Sequence, residues 1–266
     1  MTERASPMHE LSAILAIAHR DFVKLIRDRP RIISDLAFPL IFIGILGTSL
    51  QAGFGANSDI NLLTFVFTGV LGQTIWQSSA LGVISLIADR EQDYSQEMFV
   101  SPVSRYSIIV GKILGESLVA LPQAIAILVL GLALGVPLSL PFVLTFIPVV
   151  FLVAIFGGAF GIIVLANLRS QQAANQIFPF VMLPQFFLAG VFNPIGNLPW
   201  YLDIVSRLSP MRYAIDLVRD VYYGFLPDTA RVALLDAPAN LAIMGAMFVV
   251  FMVVGTTLFV RSERNR

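Results

Sequence analysis

The polar side chains best placed to act on another molecule are concentrated in one charged segment, residues 89–105. The segment carries four acidic and two basic residues, whereas only 13% of the whole chain is charged, and it lies between two long apolar stretches. Its acidic residues come early, at Asp89, Glu91 and Asp93, as a helix N-terminus prefers. It also presents side chains too apolar for an idle loop, namely Tyr94, Met98 and Phe99. We predict a short helix that docks a partner; a merely solvated loop is the alternative.

The ionisable residues elsewhere do not form a set that indicates catalysis or metal binding. The chain has no Cys, which excludes thiolate nucleophiles and thiolate metal sites, and its two His residues, His9 and His19, lie near the N-terminus. Residues 117–168 contain no charged residue and no His. Ion-coupled carriers and intramembrane proteases need ionisable groups within the bilayer. We therefore predict no catalytic residue and no metal site.

Two other candidates for chemistry have simpler explanations. Gly111-Lys112 is the nearest match to a phosphate-binding loop, but it lacks the Gly five positions earlier and is followed by Ile113 instead of Ser or Thr. The chain is therefore predicted to bind no ATP in that manner and no other cofactor. Asp35 and Glu116 are expected near the cytoplasmic ends of their spans, and Glu116 is interpreted as the i, i+4 partner of Lys112.

The elements that must position the charged segment are membrane-spanning helices. The chain is 57% hydrophobic with a mean hydropathy of +0.82, and about 20 apolar residues cross the hydrocarbon core of a bilayer. We predict an all-α integral membrane protein, a single domain over residues 1–266, with six transmembrane helices at residues 33–51, 62–87, 108–134, 142–166, 176–193 and 239–260.

The N-terminal region, residues 9–29, is predicted to form an amphipathic helix. Its apolar residues share one face at helical spacing, and three basic residues, Arg20, Lys24 and Arg27, lie on the other side. A basic amphipathic helix next to a span is typical of the membrane interface. The alternative is an ordinary helix packed on the protein's own surface.

The basic residues set the orientation of the spans. Thirteen of the seventeen Lys and Arg residues fall in the N-terminal arm, the charged segment and its neighbourhood, the loop at Arg169 and the C-terminal tail. The short loops at residues 51–61 and 135–141 contain none. The excess of basic residues on one side predicts that both termini and residues 89–105 lie in the cytoplasm. The protein itself is predicted to lie in the inner or plasma membrane.

The long connection before the last span, residues 194–238, is predicted to contain two short re-entrant helices. Pro199 and Pro210 suit the first turn of a helix. The aromatic residues of this connection favour the headgroup level: Trp200, Tyr201, Tyr213, Tyr222 and Tyr223. A solvated extracellular loop is the alternative.

Two stretches carry a resemblance to a known family. The first runs from Asp89-Arg90-Glu91 through Glu97-Met98-Phe99-Val100-Ser101-Pro102-Val103-Ser104-Arg105 to Gly111-Lys112-Ile113. The second runs from Leu188-Ala189-Gly190-Val191-Phe192-Asn193-Pro194 through Leu198-Pro199-Trp200 and Leu208-Ser209-Pro210-Met211-Arg212-Tyr213 to Asp216-Leu217-Val218-Arg219. In this order and topology they resemble the ABC-2 family, the six-span permease subunits of type V ABC exporters, over nearly the whole chain. Asn193 and Ser209 depart from residues common in that family.

The resemblance implies site residues and partners. The helix at residues 9–29 would be a connecting helix along the inner leaflet. A coupling helix that docks a separate ATP-binding subunit would contain Arg90, Glu91, Glu97, Met98, Phe99 and Pro102. Short helices around Trp200–Ser206 and Met211–Tyr222 would form an outer gate that contains Pro199, Trp200, Pro210 and Tyr213. Two permease chains would pair, mainly through the first and fifth spans, with two ATP-binding subunits that hold ATP and Mg; no nucleic acid partner is implied.

The cargo is predicted less sharply. The spans contain few polar side chains: Gln73, Thr74, Gln77, Ser78, Ser79, Gln123, Asn175, Gln176 and Gln185. Such an apolar lining favours a lipophilic or amphipathic substrate, and the resemblance at residues 97–105 favours drug and small-lipid exporters. The alternatives are export of a lipid-linked polysaccharide or oligosaccharide, and a non-transporting membrane subunit of an ATPase complex.

Overall fold

The computed structural model describes residues 7–91, 104–165, 168, 170–196, 198–226 and 232–264. All regular secondary structure among these residues is helical, and no β-strand is found among them. The helices are α1 Pro7–Arg27, α2 Arg29–Ile41, α3 Thr48–Phe54, α4 Leu62–Gly82, α5 Ile84–Glu91, α6 Arg105–Ala133, α7 Leu140–Leu165, α8 Gln171–Leu188, α9 Trp200–Leu208, α10 Pro210–Tyr223 and α11 Ala237–Arg264. A π-helical turn, Phe42–Gly47, joins α2 to α3, and a 3₁₀ turn, Gly55–Asn57, follows α3.

Five helical segments in the described part of the chain are long and apolar enough to cross a membrane: Ile32–Asn57, Leu62–Ile87, Tyr106–Ala133, Leu140–Val164 and Ala237–Leu258. They correspond to the first four predicted spans and to the last. The predicted span at residues 176–193 is occupied by α8, which begins at Gln171 and ends at Leu188. Four amide side chains in its first six residues, Gln171, Gln172, Asn175 and Gln176, keep α8 outside this set.

Side-chain caps explain where three of these helices begin. The side chain of Asn61 accepts a hydrogen bond from Thr64 N at the start of α4, at 2.9 Å. Ser104 caps α6 through Ser107 N, and Ser170 caps α8 through Ala173 N. Each cap satisfies a backbone N–H group that has no partner within its own helix.

Helix α4 is the centre of the bundle and packs against α6, α7 and α10. Trp76 is fully buried on α4, with its ring 4.8 Å from that of Phe160 on α7. A Cβ atom added at Gly157 would lie 2.1 Å from the carbonyl oxygen of Trp76, and one at Gly161 would lie 2.5 Å from that of Ala80. The α4–α7 crossing therefore depends on small residues that let two helix backbones approach closely.

Helix α1 takes the place of the predicted amphipathic helix and runs along the first turns of α6. Cβ atoms added at Gly111 and Gly115 of α6 would lie 3.1 Å from Ile14 and Ala18 of α1. Elsewhere on α1, four large apolar side chains are exposed: Met8, Leu11, Leu15 and Ile26. The helix is therefore packed on the protein along one face, and it also presents apolar surface outward.

Candidate functional site

The predicted docking segment lies mostly outside the described residues. Arg90 and Glu91 belong to the last turn of α5. The remaining predicted docking residues, Glu97, Met98, Phe99 and Pro102, lie outside the described part of the chain. The structure describes the elements on either side of residues 92–103, namely α5, which ends at Glu91, and α6, which Ser104 caps.

The downstream side is held by a carboxylate from α1. The backbone N–H group of Ser104 donates a hydrogen bond to Glu10 Oε1 at 3.1 Å, and the Ser107 hydroxyl donates to Glu10 Oε2. The Ser107 hydrogen bond keeps the pKa of the Glu10 carboxyl below its usual value. The start of α1 is thereby bound to the first turn of α6, where residues 92–103 end.

A buried ion pair fixes the same two helices one to two turns further along. Lys112 Nζ on α6 lies 2.9 Å from Asp21 Oδ2 on α1, and the two side chains are only 2% and 3% exposed. Arg20 Nη2, at the edge, also lies 2.9 Å from Asp21 Oδ1. Because removal of one partner from a buried pair leaves an uncompensated charge, this contact is sensitive to substitution.

Glu116 of α6 contacts the α4–α5 junction, which precedes residues 92–103 in the chain. The carboxyl group of Glu116 lies against Gly82, where an added Cβ atom would be 2.0 Å from Glu116 Cδ. Glu116 Oε1 also accepts a hydrogen bond from Ser85 on α5 at 3.4 Å. The sequence interpretation paired Glu116 with Lys112; in the structure Lys112 forms an ion pair with Asp21, and Glu116 contacts the α4–α5 junction. The start of α6, residues 105–116, is therefore joined both to α1 and to the junction that precedes residues 92–103.

The predicted gate residues separate into two groups in the structure. Pro199 and Trp200 lie at the exposed start of α9, where Trp200 is 77% exposed. Pro210 and Tyr213 lie in the buried first turn of α10, and the Tyr213 hydroxyl donates to the carbonyl of Arg207 at 2.8 Å. We call α9 and α10, residues 200–223, the outer hairpin.

Polar contacts within the outer hairpin and with α8 keep it compact. Arg212 Nη1 donates to Ser206 Oγ at 2.7 Å and to Asp203 Oδ1 at 3.2 Å. The Ser206 hydroxyl donates to the carbonyl of Leu188, the last residue of α8, at 2.5 Å. Arg207 pairs with Asp203 at 2.8 Å, and hydrogen bonds from Arg207 and Arg212 lower the pKa of Asp203.

Helix α10 is seated against α4 through Arg219, which is 4% exposed. Its Nη2 donates to the carbonyl of Gly190 at 2.7 Å, and its guanidinium lies 3.8 Å from the ring centroid of Phe65. Ile215 and Val218 contact Gly72. Gly72 is ten residues into α4, about 15 Å from its start at 1.5 Å per residue.

Two carboxylates of α10 hold the start of the last helix. Asp216 accepts hydrogen bonds from Leu234 N at 2.7 Å and Leu235 N at 2.8 Å, and from Asn240 Nδ2 at 3.0 Å. Asp220 Oδ2 accepts one from Ala237 N at 2.7 Å. The sequence analysis did not identify these carboxylates or Arg219 as site residues. The signal was available, since this aromatic-rich helix carries four charged residues, Arg212, Asp216, Arg219 and Asp220, and charged residues need partners when their helix is buried.

The structure also gathers polar side chains that were scattered in the sequence. Five of the polar span residues named above line one cleft between α2, α4 and α6, together with Ser34 and Asp35: Gln73, Thr74, Gln77, Ser78 and Gln123. The cleft has a volume of about 210 Å³. A second, apolar cleft of about 340 Å³ lies between α4 and α8 and is lined by residues that include Phe178, Met182 and Phe186.

Known proteins are similar to this chain over most of its length. Residues 12–223 match the model of the family described as ABC-2 type transporter. The ycf38 transport permease of Cyanophora paradoxa is 27% identical over 216 residues, which cover 80% of this chain and 74% of that protein. YbhR of Escherichia coli K12, named as a multidrug ABC transporter permease, is 29% identical over 143 residues, 52% of this chain and 38% of that protein. Nodulation protein J of Rhizobium meliloti strain 1021 is 25% identical over 195 residues, 73% of this chain and 74% of that protein.

Proposed function

Since the chain belongs to the ABC-2 type transporter family and is thus a transmembrane permease subunit of an ABC transporter, we propose that it exports a lipophilic or amphipathic cargo with energy from a separate ATP-binding subunit. The observation that carries this proposal is the set of contacts that flank residues 92–103. Glu10 binds Ser104 just after this segment, and Glu116 binds Ser85 in the helix that precedes it. The buried Asp21–Lys112 pair joins α1 to α6.

The docking residues in this proposal are Arg90, Glu91, Glu97, Met98, Phe99 and Pro102. A charged helix with an apolar patch that is packed on other helices transmits a conformational change of an ATPase better than a flexible loop does. Two copies of the ATP-binding subunit, which hold ATP and Mg, close on ATP binding and move the helices of two paired permease chains between two arrangements. This chain itself binds no cofactor in the proposal.

The proposed topology has six spans, with both termini and residues 89–105 in the cytoplasm. Helix α8 is the additional span, and α9 and α10 are re-entrant from the outer side. Their support is that α10 contacts α4 as far as Gly72, about 15 Å from the start of that helix, and that α9 exposes apolar side chains such as Trp200 and Leu208. The outward apolar face of α1 supports an interfacial position for that helix.

The proposed gate contains Pro199, Trp200, Pro210 and Tyr213 on the outer hairpin. Its polar contacts with α8 and α11 make it a compact plug that is displaced as a unit. The cargo is proposed to be a drug, lipid or glycolipid. The multidrug name of YbhR favours this class, whereas similarity to Nodulation protein J and ycf38 leaves a lipid-linked oligosaccharide as the competing cargo.

Co-purification from native membranes tests the docking segment. The tagged chain is compared with a Glu91→Arg/Phe99→Asp variant and with a matched control, Asp59→Arg/Phe54→Asp, which likewise replaces one acidic residue by Arg and one Phe by Asp, at exposed positions near the opposite end of the first two spans. We expect wild type and control to recover a P-loop ATPase and the docking variant to lose it. If all three recover the ATPase equally, or if well-folded wild type recovers none, the proposal fails.

Cysteine labelling tests the topology, because the natural chain has no Cys background. Single variants Ser58→Cys, Ser104→Cys and Ser262→Cys are treated with a membrane-impermeant maleimide in intact cells and in inverted vesicles. Six spans predict that Ser104→Cys and Ser262→Cys react only in inverted vesicles, and Ser58→Cys only in cells. If the Ser262→Cys variant reacts in intact cells instead, α8 does not cross the membrane.

A further inference from the structure

The polar cleft between α2, α4 and α6 lies well inside the membrane-crossing part of the chain. Gln73 is eleven residues from the start and fourteen from the end of the segment Leu62–Ile87, about 16 and 21 Å at 1.5 Å per residue. Asp35 lines the same cleft from the fourth residue of the segment Ile32–Asn57, and Gln123 Nε2 donates to Asp35 Oδ2 at 3.0 Å. An ionisable side chain that faces a cavity within a membrane-crossing segment is costly and marks a pathway for polar groups.

Four side chains that line this cleft keep an oxygen atom without a hydrogen-bond partner among the described residues: Gln73, Thr74, Ser78 and Gln123. Each of these side chains is at most 8% exposed. Buried polar atoms are normally paired, because a buried donor or acceptor without a partner has lost its hydrogen bonds to water and gained none in return. Several of them around one cleft indicate that a polar group from another molecule completes the site.

The chemistry of the unpaired oxygens selects the missing group. A carboxylate accepts hydrogen bonds only, so Gln123 must present its amide NH₂ to Asp35, which turns its Oε1 towards an incoming donor. Gln73 donates in the same way to Gln77 Oε1 and keeps its own Oε1 as an acceptor. None of the described lining residues is Lys or Arg. The cleft therefore offers two amide oxygens that only accept, two hydroxyl groups that can donate or accept, and one carboxylate; the carboxylate and the amide oxygens suit a cationic donor.

The apolar cleft between α4 and α8 continues from this polar one, because Gln77 and Leu81 line both. Its aromatic and Met side chains, among them Phe178, Met182 and Phe186, form an adaptable surface for a hydrocarbon chain. We propose that the two clefts together bind an amphiphile with a protonated amine, whose headgroup is held by Asp35, Gln73 and Gln123 and whose tail lies along α8. This inference rests on the proposed export function and specifies the class of its cargo.

Photolabelling of the purified chain in phosphatidylcholine nanodiscs tests the site. The probe is dodecylamine with a diazirine at the end of its alkyl chain, and labelled residues are identified by mass spectrometry. We expect saturable labelling within residues 175–186, protection by unlabelled dodecylamine, and at least tenfold weaker protection by lauric acid or dodecyl maltoside, which share the tail length but not the headgroup. Protection by dodecyl maltoside equal to that by the amine would overturn the cationic headgroup.

Two substitutions separate the site from general stability. Asp35→Asn is expected to weaken amine binding at least tenfold, because a charge-assisted hydrogen bond is lost. Thr74→Val is expected to weaken it several-fold, whereas Thr256→Val, which removes an equally buried hydroxyl outside the cleft, leaves it unchanged. Unchanged binding in Asp35→Asn, or equal losses in the two Thr variants, would overturn the inference.

The assay is independent of the ATPase. If the wild-type chain recovers an ATPase from membranes but is not labelled by the amine, only the cargo class is wrong. If the amine labels the chain but no ATPase is recovered, the export proposal fails while the amphiphile site stands.

Discussion

Replacement of Gly69 by Ala tests how closely the Gly190–Val191 loop, which binds Arg219 of the outer hairpin, packs on α4. A Cβ atom at this position would lie 2.2 Å from the carbonyl oxygen of Val191 and 3.0 Å from Nη2 of Arg219. Real Cβ contacts begin at about 3.0 Å, so the Val191 carbonyl must retreat by about 0.8 Å. That carbonyl follows Gly190, whose φ of 73° fixes the chain where Arg219 binds it. The methyl group therefore disturbs the arginine contact directly.

The size of the effect follows from a comparison with Gly245→Ala on α11. Both positions are inside helices, where Ala is favoured over Gly by about 1 kcal/mol, and a Cβ atom at Gly245 meets nothing within 4 Å. The propensity gain cancels between the two variants. The difference in their free energies of unfolding is therefore the overpacking cost alone, about 1–3 kcal/mol.

The assay is the apparent melting temperature of each tagged variant in nanodiscs, measured together with ATPase recovery from native membranes. We expect Gly245→Ala to melt at or above wild type and Gly69→Ala below it. ATPase recovery should be unchanged, because Gly69 is thirteen residues, about 20 Å, from Gly82 on the docking side. Equal melting temperatures for the two variants would refute the close packing of the Gly190–Val191 loop and Arg219 on α4.

Three further outcomes are expected. Asp21→Leu and Lys112→Met should each lower the free energy of unfolding by about 3–5 kcal/mol, whereas the Asp21→Leu/Lys112→Met double variant should regain most of that loss in SDS-induced unfolding; additive losses would contradict a coupled pair. Glu10→Gln should lower the melting temperature at pH 7 but not at low pH. The hydrogen bond from Ser107 lowers the folded-state pKa of Glu10 below its ordinary value of 4.5. The ionised carboxylate therefore stabilises the fold above pH 4.5, and this stabilisation is lost as the pH falls through the lowered pKa. Arg219→Met should release the loop at Gly190 and raise its hydrogen exchange, whereas unchanged protection there would show that the guanidinium does not hold it.

Much of the fold could be predicted because local signals mark it. Composition and hydropathy indicated an all-helical membrane protein, and residues 62–87 were predicted with the bounds that the structure gives. Residues of the N-cap type, Asn61, Ser104 and Ser170, stand where three helices begin. The fifth predicted span, residues 176–193, is harder, because four amides at the start of α8 lower its hydropathy and two Pro residues, Pro179 and Pro184, lie inside it.

The contacts that assemble the site could not be predicted from one sequence. Asp21 and Lys112 are 91 residues apart, and Asp35 and Gln123 are 88 apart; their pairing depends on how α1 and α2 lie against α6. Glu116 illustrates the same limit, since local spacing supplied Lys112 as a partner and only the tertiary structure supplied Ser85. Residues 89–105 and the outer hairpin could be selected in advance because their polar and aromatic content is conspicuous in an apolar chain.

The hydrogen bonds that join α10 to the start of α11 have a mechanical consequence. Asp216 and Asp220 bind Leu234, Leu235 and Ala237, so the outer hairpin cannot rotate without carrying the first turn of α11 with it. Helix α11 is 28 residues long, about 42 Å, and its first turn is the end that is bound to the hairpin. A tilt of about 10° there would swing the far end by about 7 Å. A small rotation of the outer hairpin would thus produce a larger displacement at the far end of α11, on the opposite face of the bundle.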